Sequence, residues 1–155
     1  MDPIWSGTEQ AMLERLGRRR AELKDSMSSL EHALASPAAG DASRWTDRVQ
    51  VALIGLSADL RQHVDVTEGP EGLYHDLMQT APRLAGEVDH LTGEHTVLRK
   101  AVDGLLTEVR SPQAEQDVAR LRDLGTELLA TLSRHRQRGA DLVYEAYEVD
   151  IGGDT

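Results

Sequence analysis

The sequence predicts an all-α fold, an antiparallel up-down bundle of four helices. Three observations carry this expectation. Prolines and glycines cut the 155-residue chain into four long segments and one short one. Each long segment repeats apolar residues at three-four spacing, the buried seam of an amphipathic helix. Strand signals are absent, with neither alternation nor Asn-Gly turns. A chain of this length reads as one domain, 1–155, able to bury roughly 70% of its unfolded surface without staples.

The first helix is expected over about 8–35. Its seam is Leu13, Leu16, Arg20, Leu23, Met27, Leu30 and Leu34, and it stops at Ser36-Pro37-Ala38-Ala39-Gly40. The second, about 43–68, takes Asp41 or Ser43 as its cap and stops at Gly69-Pro70. Its seam is Val49, Leu53, Leu56, Leu60, His63 and Thr67. A short helix over about 71–79 is expected to loop outside the bundle. The third long helix, about 82–110, starts with Pro82 in its first turn, where a missing N–H costs nothing. Its seam runs Leu84, Val88, Leu91, His95, Leu98, Val102, Leu105, Val109. The fourth, about 112–149, has Ser111 as its expected cap. Its seam is Val118, Leu121, Gly125, Leu128, Leu132, His135, Gly139, Leu142 and Ala146. Trp5 and Trp45 are expected to anchor helix starts. Tyr144, Glu145, Tyr147, Glu148 and Asp150 end the last helix, either as a frayed polar end or as a tail packed on the bundle mouth.

One large polar side chain interrupts each seam: Arg20, His63, His95 and His135. The same period puts His32 and His90 on outer faces and His75 in the short connecting piece. Measured from the breaks at Ala39 and Pro112, the paired positions differ in depth by about 7–9 Å, close to a common level. Three imidazoles converging inside a bundle suit zinc, iron, copper or nickel, and three ligands plus an open position make a reactive arrangement. The other reading is a hydrogen-bonded polar layer that sets register. Arg20, if buried, needs a carboxylate, with Glu68 the first candidate and Glu94 the second. In the functional reading Arg20 supplies fixed charge, or binds an anion beside a metal. Gly139, one turn after His135, leaves either a small pocket or a close helix contact.

The layout of one His per helix at mid-depth resembles the hemerythrin-like family, whose di-iron site lies between four helices. Leu60-Arg61-Gln62-His63-Val64-Asp65-Val66-Thr67-Glu68 is similar to its His-plus-carboxylate segment. Leu91-Thr92-Gly93-Glu94-His95 is similar to its Glu-His segment, and Leu132-Ser133-Arg134-His135 to its last His helix. The resemblance implies His63, His95 and His135 as metal ligands, then Glu68. Arg20, Glu94, Thr67 and Gly139 surround them. It implies iron, mono- or dinuclear, and the binding or sensing of oxygen, nitric oxide or peroxide. The sequence departs from the family at three places. Arg20 stands at the first-helix His and cannot ligate. Thr67 stands one turn after His63, with the carboxylate displaced to Glu68. Gly139 and Ala140 stand where the last carboxylate belongs. A reduced site is therefore expected, with zinc or no metal as alternatives. A mononuclear-metal enzyme and a metal-free interaction bundle are the competing functions.

Composition narrows the field. With no cysteine, thiolate metal sites, disulfides and thiol catalysis are excluded. A net charge of −10 with 3% aromatics argues against nucleic acid and anionic membranes. Arg18, Arg19 and Arg20 and the run from Arg134 to Arg138 then read as solvated faces or partners of the acidic middle. Neither a membrane span nor a secretion signal is expected, so a cytoplasmic location is the default, with a homodimer allowed. Glu87-Val88-Asp89-His90 matches a ferritin-like Glu-x-x-His, but the motif occurs once and His90 faces outward.

Overall fold

The computed structural model describes residues 7–149, and within them the fold is all-helical. Trp5 and Asp150 lie outside this range, as does the side chain of Glu148. The long helices are α1 (Gly7–Ala35), α2 (Ala42–Glu68), α4 (Ala85–Val109) and α5 (Val118–Val143), with a short α3 (Leu73–Thr80) between α2 and α4. They pack in a ring: α1 on α2, α2 on α4, α4 on α5, and α5 back on α1. Among the described residues no helix is long and apolar enough to cross a membrane.

Local chemistry explains the ends. Asp41 caps α2, its carboxylate accepting from the Arg44 N–H at 3.2 Å. The last carbonyls of α1 are satisfied from outside their helix. Trp45, fully buried, donates its indole N–H to the Leu34 carbonyl at 3.3 Å. Arg122 donates to the Leu34 and Ser36 carbonyls at 2.9 and 2.8 Å, its guanidinium 5.4 Å from the centre of the Trp45 ring. Trp45 thus anchors the start of α2 against the end of α1, as expected.

Four expectations change. Pro82 opens a tight 3₁₀ turn, Pro82–Leu84, from which α4 follows. The fourth long helix starts at Val118, because Ser111 to Asp117 fold as successive tight turns and Ser111 caps nothing. Backbone N–H groups of Ala114, Gln116 and Asp117 there donate to carbonyls three residues back, at 3.0–3.1 Å. After Val143 the backbone loosens into a π-turn, Tyr144–Val149. Finally, α3 does not loop outside. It buries Leu73, Tyr74 and Leu77 and packs on α1, α2 and α4. Its apolar residues at i, i+1 and i+4 form one face, which has lower free energy against the bundle than in water.

The apolar interior falls into two bodies. One holds Leu23, Leu30, Leu56, Leu60, Leu98 and Leu132 among others. The other holds Met12, Leu16, Tyr74, Leu77, Leu91 and Leu142. Arg20, His63, His95 and His135 occupy the sequence positions between them, so a polar layer splits the core.

The glycines give a test of this packing. Gly93 lies exposed within α4, with open space where a Cβ would go. Gly93→Ala is expected to raise stability by about 0.5–1 kcal/mol through helix propensity. Gly125 is buried on α5, and a Cβ there would sit 2.5 Å from the Cδ1 of Leu34. Gly125→Ala is expected to lower stability, overpacking (about 1–3 kcal/mol) outweighing the same propensity gain. Urea midpoints of the two variants should move in opposite directions.

Candidate metal centre

His63 on α2, His95 on α4 and His135 on α5 are each buried, at 6%, 1% and 2% exposure. They meet. One ring nitrogen from each lies within 4.8 Å of the other two. Ring centroids are 4.7 Å apart for His95 and His135, 5.2 Å for His63 and His95, and 5.4 Å for His63 and His135. The Nε2 atoms of His63 and His135 are 3.3 Å apart. His32, His75 and His90 are exposed, so the helical period sorted all six correctly.

Carboxylates fix two of the three rings. Glu68 accepts from Nδ1 of His95 at 2.5 Å, and Glu94 accepts from Nδ1 of His135 at 2.9 Å. Each bond spans two helices. An Nδ1–H given to a carboxylate sets the tautomer and leaves Nε2 with a free lone pair. Nε2 of His95 is buried and has no hydrogen-bond partner, and neither has Nδ1 of His63. A buried unpaired nitrogen costs free energy unless something occupies it.

Glu68 therefore stands against the outer nitrogen of a ring. Its helix does not unwind to bring it there, since the Gly69 N–H still donates to the Asp65 carbonyl at 2.9 Å. Glu94 also receives Arg138 and lies 3.4 Å from Nε2 of His90. Thr67 turns its hydroxyl back to its own helix, donating to the carbonyls of His63 and Val64 at 2.9 and 3.0 Å.

The expected pairing of Arg20 with Glu68 or Glu94 is not formed, because both carboxylates are taken by imidazole N–H groups. Arg20 is only half-buried, and its Nη2 donates to the backbone carbonyl of Arg136 at 3.4 Å. Gly139 makes no close helix contact. A Cβ there would lie 3.7 Å from Nη1 of Arg20, so the arginine covers the space the glycine leaves.

The sequence reading missed Tyr74. Its ring stacks on His95, centroids 6.0 Å apart and planes 15° from parallel. Burial pushes its phenol well above the ordinary range, so it stays protonated. The apolar Leu73, Tyr74 and Leu77 carry the signal, but eight residues with one apolar face do not by themselves place the short helix against the histidines.

Burial dominates the electrostatics. It drives His63 down to about 3, helped by the neighbouring imidazoles and by Arg20 and Arg136. His95 and His135 are also lowered, burial outweighing the carboxylates that pull the other way. All three rings are neutral at pH 7, the form that ligates. Compared with protein-family models, curated proteins and solved structures, the chain matches none.

The lowered value of His63 has a sign. An unfolded chain binds a proton on this ring below about pH 6.5, and the folded one does not until about pH 3. Stability contributed by the neutral ring is whole above pH 6.5 and declines by about 1.4 kcal/mol per pH unit below it. His95 and His135 act in the same direction. Urea unfolding of the metal-free chain is expected to show a loss of at least about 2 kcal/mol between pH 7.5 and 5. A flat profile over that interval would contradict the buried neutral layer.

Proposed function

We propose that this chain is a metal-binding bundle in which His63, His95 and His135 hold one divalent transition-metal ion with an open coordination position. One observation carries the reading. Two imidazoles are tied by Nδ1 to carboxylates from other helices, and a buried Nε2, that of His95, is left with nothing to bind. The 3.3 Å between the Nε2 atoms of His63 and His135 fits ligands on one ion. A tetrahedral site with metal–nitrogen bonds of about 2.0–2.1 Å spaces its nitrogens by roughly 3.3–3.4 Å. Glu68 and Glu94 act from behind the rings, raising ligand basicity and fixing orientation. That leaves no bridging carboxylate, which favours one ion over two.

The arrangement of the two apolar bodies supports an up-down, antiparallel, hemerythrin-like topology. The body containing Tyr74 takes residues early in α1 and α4 and late in α5, and packs against Val66 near the end of α2. Three neutral nitrogen donors suit zinc, iron, copper or nickel. The hemerythrin-like layout favours iron, and with iron the open position suits a small ligand such as oxygen, nitric oxide or peroxide. A second reading, a metal-free polar layer that sets register, is favoured by the direct His63–His135 contact.

Metal titration separates the two. One equivalent of Fe²⁺, Zn²⁺ or Co²⁺ per chain is expected to raise the melting temperature, a ligand at a hundred times its Kd adding about 2.7 kcal/mol. His95→Ala should remove that rise. Glu68→Gln and Glu94→Gln should weaken metal binding by about 10–100-fold while leaving the stoichiometry at one. If no metal binds and the His95→Ala chain differs only in stability, the polar-layer reading stands instead.

A further inference from the structure

Arg20 and Arg136 lie together beside the histidine layer, Nη2 of Arg20 donating to the Arg136 carbonyl. Arg19, Arg44, Arg83, Arg120 and Arg138 each lie within ion-pair distance of a carboxylate. Arg20 and Arg136 are half-buried and, among the described residues, form no ion pair with a carboxylate, although the chain carries a net charge of −10. Nε of Arg136 is buried without a hydrogen-bond partner. The two guanidinium groups are near enough for Arg136 to disfavour the charge on Arg20, and both disfavour charge on His63. Two like charges sharing a partly desolvated site with no counterion are unfavourable, and an anion between or beside them relieves both.

Arg20 also borders a groove. Between α1 and the end of α5 lies a cavity of about 390 Å³, walled by Leu13, Leu16 and Val143, with Tyr144 at its rim and Gly17 opening one side. The volume is within the range of small-molecule sites. Tyr144 is 59% exposed, so its ring is open to a ligand entering from solvent. The bond from Arg20 to the Arg136 carbonyl is long, at 3.4 Å, so a better acceptor displaces it at little cost.

We propose that this groove binds a small organic carboxylate, its head on Arg20 and its apolar tail along Leu13, Leu16 and Val143. The planar fork of an arginine matches a carboxylate in two parallel hydrogen bonds. The apolar walls favour a tail over a bare inorganic oxyanion. Arg20 joins the groove to α5 below His135, its Nη1 lying 3.7 Å from where a Cβ of Gly139 would be. The assignment rests on the arginines and the groove and does not require the metal.

The test uses the full chain after chelator treatment, so that its failure and the failure of metal binding are separate results. Hexanoate and benzoate are titrated by calorimetry, with acetate and inorganic phosphate as comparators. Saturable binding of hexanoate at a single site is expected, at least about tenfold tighter than acetate. Arg20→Gln is expected to weaken it by about 10–100-fold. Gly17→Leu puts a side chain into open space at the groove mouth, so it should fold normally and still lose hexanoate, which keeps the test valid should Arg20→Gln fail to fold. Absence of saturable binding of hexanoate and benzoate up to roughly 10 mM, a millimolar ceiling for such small ligands, overturns the proposal. So does a Gly17→Leu chain that binds hexanoate unchanged. Phosphate binding more tightly than hexanoate overturns the carboxylate assignment in favour of an inorganic oxyanion.

Discussion

The structure depends on a polar layer placed in the middle of an apolar bundle. Burying three imidazoles is costly unless their nitrogens are satisfied and their charge suppressed. Glu68 and Glu94 satisfy the Nδ1 atoms of His95 and His135 from neighbouring helices, α2 reaching α4 and α4 reaching α5, while burial suppresses the charge. Because each bond joins two helices at one level, sliding either helix by a turn would leave an imidazole and a carboxylate unpaired. Packing of leucines alone has no such penalty for a shifted register, since one leucine seam fits another nearly as well. The layer therefore fixes the depth at which the helices meet, and with it the location of the chamber.

The same layer divides the core, and the two parts serve different purposes. The larger apolar body, with Leu53, Leu56, Leu98 and Leu132, closes the bundle around Trp45 and the α1–α2 turn. The smaller one is completed by α3, whose Leu73, Tyr74 and Leu77 cover the histidines from the other end. Tyr74 stacked on His95 excludes water from one side of the rings.

Charge is organised around this interior. The chain is acidic, yet Arg20 and Arg136, half-buried and without a carboxylate partner among the described residues, stand beside neutral imidazoles. Their field adds to burial in keeping His63 unprotonated. An anion drawn to them would weaken that effect and raise the affinity of the imidazoles for a cation. The groove between α1 and α5 and the histidine chamber are thus electrostatically linked through Arg20.

The sequence by itself determined the helices, their buried faces and the six-way sorting of the histidines, because a period of 3.6 residues is a local property that each segment carries alone. It matched Arg20 with His63 and His95 with His135 in depth, since short connections between long helices leave little freedom, but the level common to α2 and α4 depended on the segment between them, which only the tertiary structure placed. Tertiary structure decided the partners. Whether Glu68 answers Arg20 or His95 depends on angles between helices, which periodicity does not encode. The position of α3 was decided in the same way: eight residues with one apolar face are compatible with a surface loop or a cap, and only the vacant apolar end of the bundle chooses between them. The start of α5 at Val118 was likewise settled by competition, as Ser111 and Pro112 favour a cap locally while the turn between α4 and α5 is satisfied by three-residue hydrogen bonds.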